Sequence, residues 1–365
     1  MANQRLAQLR KRIAEEKLDA LVITIPENQY YLSGFFPGHA YLDVTMIVSA
    51  EHAWISTDSR YYEDVKQRAP DFTLFQAGYD RTKWLGEFGA QTKAKLVGFE
   101  ANHLTVASLK AWSKEARKAG FKLKPTNGIA QSLRVIKTPD ELATIKRAVD
   151  ITDAAFAHLL TQVKPGMTEK NAACIIEKYM RENGADAMAF GIVASGPNAA
   201  LPHAIPTDRK IQKGEPIIVD IGARVDYYHS DLTRTIVLGT PDEKFNTVYD
   251  TVLKAQRAAE RKIREGVKCK RADAFARNVI KKAGYGDYFG HGLGHDVGLA
   301  VHDGGVRASY TCAPKETLRA NMTLTIEPGI YLPGWGGVRI EDLVVIQEDG
   351  IDVLSQATKE PVVKA

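Results

Sequence analysis

The sequence predicts an α/β N-terminal domain followed by an α+β C-terminal domain that is internally duplicated. Three observations carry this expectation. Helical and strand patterns alternate up to about residue 128, the Pro/Gly-punctuated run Pro125 to Ala130 interrupts them, and beyond it a helix–helix–strand pattern occurs twice, roughly one hundred residues apart. A chain of 365 residues also exceeds the roughly 250 to 300 at which a single core stops growing. The expected domains are 1–128 and 129–365.

In the first domain Leu6, Leu9 and Ile13 recur at helical spacing and LDALVIT follows as a buried strand. VTMIVSA, HAWISTD and KLVGFE continue as strands, and LTVASLKAWSKEARKAG is an amphipathic helix ending at Gly120. The second domain opens with Thr138-Pro139-Asp140-Glu141, and the same four residue types recur at Thr240-Pro241-Asp242-Glu243. Each reads as a capping box, with Thr as N-cap, Pro at the first helical position and Glu three residues after the cap. A long helix, a break at Gly166 or Gly266, and a second helix stopped at Gly184 or Gly284 follow in both. Two similar halves result, about 138–239 and 240–348.

Each half should end in a hairpin bearing two carboxylates. IIVDIGARVDYYHSDLTRT, from Ile217 to Thr235, has two β-branched runs around a polar turn. A turn centred between Val225 and Asp226 sets Asp220 opposite Asp231. In the second half, strands Met322 to Glu327 and Val338 to Ile346 flank PGWGG, and a turn centred on Gly334 sets Glu327 opposite Glu341. Period 2 puts Arg339 on the face of Glu341 and sends Val338 and Ile340 to the other face. Like charges facing across a hairpin repel. Packed together, the two hairpins gather four acids that only protons or cations can compensate, and two divalent ions fit the inventory. FGHGLGHDVGLAVHD adds His291, His295 and His302, in glycine-rich backbone suited to passing close to an occupied pocket.

Composition excludes several alternatives. Net charge is +5 without a Lys/Arg block, so neither nucleic acid nor an anionic membrane is an expected partner. No apolar run approaches a membrane span, and the N-terminus lacks the apolar core of a signal peptide. Cys174, Cys269 and Cys312 are odd in number and widely spaced, which favours a reducing, cytoplasmic setting.

VDIGARVDYYHSDLTRT, GHGLGHDVGLAVH, TIEPGIY and GVRIEDL, in this order and spacing, resemble the metallopeptidases of the pita-bread fold, which include methionine aminopeptidase, Xaa-Pro aminopeptidase and prolidase. The resemblance spans residues 138 to about 348, and the first domain resembles that of the proline-specific members and of creatinase. It implies that Asp220, Asp231, His295, Glu327 and Glu341 are metal ligands. Asp231 and Glu341 would bridge two ions, His295 and Glu327 would bind one, and Asp220 the other. It also implies a substrate-side role for His203 and a role for His302 in stabilising the tetrahedral intermediate, with His291 beside the substrate. The implied reaction is attack of a metal-activated hydroxide on an Xaa-Pro bond. Glu327 would carry the proton to the leaving nitrogen and Arg339 would steady the carboxylates. An oxygen-rich set with one histidine favours Mn, with Co or Fe next and Zn less suited. A homodimer or homotetramer is the implied assembly.

One stretch departs from the family pattern. Where proline-specific members often read His-Glu-x-Pro, this chain reads His302-Asp303-Gly304-Gly305-Val306-Arg307. Arg307 is the candidate clamp for the free carboxylate of a dipeptide. The expected activity is that of an Xaa-Pro dipeptidase. The alternatives are an Xaa-Pro aminopeptidase acting on longer peptides, a creatinase-type amidinohydrolase, or a non-catalytic peptidase-like binding protein; five intact ligands count against the last two.

Overall fold

Helix α1 (Ala2–Glu15) turns Leu6, Leu9 and Ile13 to one buried face, as their spacing predicts. The computed structural model describes residues 2–38 and 43–364. They divide into two compact units, Met1–Arg134 and Val135–Ala365. The division falls just after the Pro125 to Ala130 run, because Pro125 and Thr126 are still paired with Phe99 and Glu100.

In the first unit β1 (Ala20–Ile23), α2 (Pro26–Ser33), β2 (Thr45–Ser49), β3 (Ala53–Thr57), α3 (Tyr62–Arg68) and β4 (Thr73–Gln76) precede α4 (Lys83–Thr92), β5 (Leu96–Glu100), α5 (Val106–Lys118) and β6 (Lys122–Thr126). The strands form one mixed sheet in the order β4-β3-β2-β1-β5-β6. Its core is an edge-to-face aromatic stack of Trp54, Trp84, Phe88, Trp112 and Phe121. Gly120, at φ 88°, takes the left-handed conformation that ends the α5 region, as its position predicts.

In the second unit α6 (Pro139–Leu160) and α7 (Glu169–Glu182) lead into β7 (Ala187–Ser195), β8 (Ile217–Val225), β9 (Tyr228–His229) and β10 (Leu232–Leu238). α8 (Glu243–Glu260) and α9 (Cys269–Lys282) then lead into β11 (Gly294–His295), β12 (Arg307–Ala308), β13 (Thr323–Ile326) and β14 (Gly329–Leu332), followed by β15 (Gly336–Arg339), β16 (Asp342–Ile346), β17 (Ile351–Val353) and β18 (Val362–Val363). The duplication is therefore physical. Gly166, Gly184, Gly266 and Gly284 all have positive φ, so both halves break their helix pairs at equivalent points. One apolar cluster lies behind each half's strands, with Phe156, Ile176 and Val219 in the first and Phe245, Ile280 and Ile326 in the second.

Two expectations fail locally. Thr138 caps α6 with the full reciprocal box, but α8 begins two residues later than Thr240 predicts, and its cap is Asp242, whose carboxylate accepts from the Phe245 N–H. The equivalent Asp140 lies inside α6, so the same four residue types start the two helices at different points. The first hairpin turns at Asp226 and Tyr227, both at positive φ (47° and 65°), which is a two-residue type I′ arrangement. Its centre is one residue further on than expected, so Asp220 faces Thr233 and not Asp231. A two-residue slip preserves the face, so both aspartates still point the same way.

Candidate metal centre

β8 is buried along its length except at Arg224, and its Asp220 points toward the catalytic face between Val219 and Ile221, which enter the core behind it. Asp231 stands two residues before Thr233 on the same face, opposite Gly222, where any side chain would strike the Phe190 ring at 2.4 Å. The second hairpin keeps the expected register, since Ile326 pairs with Asp342 and Gly329 with Arg339, so Glu327 falls opposite Glu341. Its strands are broken at those two residues, which the sequence pattern did not show. Each glutamate instead has its backbone N–H tied elsewhere, Glu327 to Leu293 O at 2.8 Å and Glu341 to Thr233 O at 3.0 Å. The second of these bonds joins the two halves at the ligand.

Donor atoms of Asp231, His295 and Glu341 lie within 4.8 Å of one another. His295 Nε2 is 3.6 Å from Asp231 and 3.4 Å from Glu327. The Nδ1–H of His295 donates to Asp296 O, which fixes the tautomer and leaves Nε2 facing the acids. Arg339 donates to Asp220 Oδ2, to Tyr331 Oη at 2.8 Å and to Thr233 Oγ1 at 3.0 Å, and Thr233 in turn donates to Glu341 at 2.6 Å. Tyr331 continues the chain to His291 Nε2 at 2.9 Å. Thr233 and Tyr331 were not singled out from sequence. Period 2 places Thr233 on the face of Asp231 and Tyr331 on that of Glu327, but the bonds that make them matter, to Arg339, are not local.

The electrostatics are those of a buried acid cluster that divalent cations would stabilise. Burial, then Glu341, Asp220 and Glu327, hold the Asp231 carboxyl well above the usual range. Burial, then Glu327 and Asp220, do the same to Glu341. Burial lifts Glu327 to about 8 despite Arg339 nearby. Burial lowers His295, and it brings His291 to about 4 with help from Arg339. Desolvation, then His295 and His203, take His302 to about 4; its ring lies 3.9 Å from that of His295. Asp220 Oδ1 is buried without a hydrogen-bond partner among the described residues. An orphaned oxygen on the wall of the cavity that holds three converging donors is what a divalent ion would complete, so the residues fit the metal.

These groups line a cavity of about 1160 Å³, which also includes His203, His291, His302 and Arg307. All of the sequence-predicted site residues therefore meet in one place. Its walls are apolar at Phe190, Ile192, Pro202 and Val301.

Residues 143–348 match the model of metallopeptidase family M24, and residues 5–136 match that of the creatinase/prolidase N-terminal domain. The chain belongs to metallopeptidase family M24. It is 36% identical over 363 residues to the Xaa-Pro dipeptidase of Pyrococcus furiosus, covering 98% of this chain and 99% of that protein. It is also similar to the solved Xaa-Pro dipeptidase from Bacillus anthracis, with a TM-score of 0.93, 34% identity and 99% of each chain covered. The X-Pro aminopeptidase from Thermotoga maritima matches with a TM-score of 0.89 and 33% identity, covering 98% of this chain and 99% of that one. The two-domain pita-bread architecture is thus that of the family, whose peptidase activity uses divalent metal ions. No described helix is long and apolar enough to cross a membrane.

Proposed function

We propose that this M24 peptidase is an Xaa-Pro dipeptidase working at a dinuclear centre held by Asp220, Asp231, His295, Glu327 and Glu341. The observation that carries the proposal is the convergence of Asp231, His295 and Glu341 donors within 4.8 Å, in a cavity whose wall also holds the unpaired Asp220 Oδ1. Bound there, divalent cations supply Lewis acidity and an activated water. The chain's own residues do the rest. Glu327, facing His295 Nε2 in the cavity, takes the proton from the attacking water and delivers it to the departing proline nitrogen. His302 donates a ring N–H to the oxygen of the scissile carbonyl as charge builds on it, and His203 and His291 border the substrate. Arg339 orients Asp220 directly and Glu341 through Thr233. Phe190, Ile192 and Pro202 offer apolar contact to the side chains and the proline ring.

Arg307, exposed on the cavity wall and paired in register with His295, is the proposed clamp for the free carboxylate. Replacing Arg307 with Ala is expected to raise KM for Xaa-Pro dipeptides by about tenfold or more, the scale of a lost charge-assisted hydrogen bond, and to spare Xaa-Pro-Xaa peptides. Equal loss on both classes would remove the clamp. The second reading is an Xaa-Pro aminopeptidase. The cavity of about 1160 Å³ favours it, being roomier than the roughly 300 to 1,000 Å³ of common ligand sites. A panel of Xaa-Pro, Xaa-Pro-Xaa and Xaa-Ala peptides, assayed after chelation and reloading with Mn, Co, Fe or Zn, decides between them. Mn is the proposed ion because four oxygen donors surround one nitrogen. A cytoplasmic location and a homodimer or homotetramer belong to the same reading; three free cysteines support the reducing compartment.

A further inference from the structure

Lys137 is buried to 3% exposure immediately before the α6 cap, and its Nζ has no hydrogen-bond partner among the described residues. Its backbone N–H donates to Asn321 O at 2.9 Å, which fixes it between the start of α6 and the approach to β13. The ammonium faces Asp303 Oδ2 at 3.7 Å, too far for a hydrogen bond but within reach of a strong Coulomb attraction in a buried setting. Asp296, also buried, feels the same positive charge. An uncompensated buried ammonium is costly, and so is a pair of buried carboxylates. Each group makes the others tolerable.

The two aspartates close the loop that carries both central histidines. Asp296 accepts from the Gly305 N–H at 2.9 Å and Asp303 from the Ala300 N–H at 3.1 Å, while the Asp303 N–H reaches Asp296 O at 3.4 Å. Gly298 and Gly305 have no room for a side chain, since a Cβ would lie 2.5 Å from Asp303 Oδ2 and Asp296 Oδ2 respectively. The loop is thereby folded around its own carboxylates. Asp296 O is also the acceptor that orients His295, and His302 is the residue before Asp303.

We propose that Lys137 is a positioning residue for this loop: its buried charge holds Asp296 and Asp303 together and so sets His295 and His302 over the carboxylate floor. The proposal rests on the roles given above to those two histidines. It also makes the departure of His302-Asp303-Gly304-Gly305 from His-Glu-x-Pro intelligible, because the shorter Asp303 and a side-chain-free Gly305 fit this closed arrangement.

The test compares Lys137→Met, Lys137→Arg and the double variant Lys137→Met/Asp303→Asn with the unaltered chain. Amide exchange is followed at Ala300 and Gly305 in the metal-free protein, and Mn affinity, kcat and KM in the loaded one. Lys137→Met is expected to lose about tenfold or more of the protection at those two amides, with exchange in α6 and β8 unchanged. Mn affinity or kcat is expected to fall by about 10- to 100-fold, the range for groups that orient metal ligands, with KM within about threefold. Lys137→Arg keeps most of both, and the double variant, with one negative charge removed to match, recovers protection. A folded Lys137→Met with normal loop exchange and normal kcat overturns the proposal. If that variant does not fold, a folded double variant that stays as unprotected as a chain lacking loop closure overturns it, and recovered protection supports it. Absence of Xaa-Pro cleavage by the unaltered protein would strike the functional reading and leave the exchange result standing.

Discussion

The two halves of the M24 unit build the same device in different ways. In the first, Asp220 lies within the unbroken β8 and Asp231 in the gap between β9 and β10, on either side of the tight Asp226-Tyr227 turn, in a sheet that runs from β7 through β8 to β10. In the second, the hairpin is cut at Glu327 and Glu341, leaving β14–β15 as a separate ribbon from β13–β16. The scaffolding behind them differs as well. On α7 the buried Glu169 accepts from Ser195, Asn198 and Thr207, gathering the loop that carries His203. On α9 the Asp273–Arg277 pair does the equivalent for the loop that carries His291, with Arg277 donating to Phe289 O and His291 O. The first half breaks one of its two ligand strands, at Asp231, and carries short aspartates; the second breaks both, at Glu327 and Glu341. The second half's longer Glu341 reaches across to Thr233 of the first, and Arg339 joins that threonine to Asp220 and Tyr331.

The largest expected effect comes from removing a ligand at the junction. Asp231→Asn and Glu341→Gln are each expected to lower kcat/KM by more than the roughly 100-fold upper range for groups that only orient a metal ligand, with metal affinity falling in parallel and far-UV CD unchanged. Full activity in either variant would mean that the halves do not share a centre. Thr233→Val probes the same junction one step out. Its loss is expected to be smaller than that of either ligand, because Arg339 keeps its bonds to Asp220 and Tyr331.

Metal removal gives a pH-dependent effect of the next size. Burial raises Glu327 from its usual 4.5 to about 8 without an ion, so between these values the folded metal-free protein holds a proton that the unfolded chain lacks. The contribution of Glu327 to the stability of the metal-free protein therefore rises as pH falls from about 8 toward 4.5, whereas His291 and His302, lowered to about 4, act in the opposite direction below about 6.5. Thermal melts of chelated protein at several pH values should show this, and Glu327→Gln should flatten the slope. The same pH slope with and without Glu327→Gln would deny that burial raises the second half's glutamate.

Much of this was legible in the chain because it rests on period and punctuation. Alternation put Arg339 on the face of Glu341 and Val338 and Ile340 in the core, and glycines at Gly166, Gly184, Gly266 and Gly284 marked the halves. The register of the second hairpin was legible since Gly334 must sit at positive φ in its turn. The register of the first was not, because Asp226 and Tyr227 adopt positive φ without a glycine to announce it. Thr233 and Tyr331 were hidden for another reason: their importance lies in bonds to Arg339 across sequence separations of 106 and 8 residues, which no local pattern encodes. Lys137 reads as an ordinary solvated lysine until its burial is seen.

The smallest expected effect separates the two helix starts. Both Thr-Pro-Asp-Glu segments look alike, yet only Thr138 accepts from its N3 amide, Glu141 N–H, while in the second half Asp242 accepts from Phe245 N–H. Thr138→Ala and Asp242→Ala are each expected to cost about 1 kcal/mol of stability, the usual value of an N-cap. Thr240→Ala, outside its helix, is expected to stay within about 0.5 kcal/mol of the unaltered protein, as surface changes do. Urea melts of the three variants measure this directly. Equal losses for Thr240→Ala and Thr138→Ala would restore a strict repeat, with the carboxylate cap contributing nothing of its own; a loss confined to Thr138 and Asp242 shows that identical tetrapeptides start their helices at different residues.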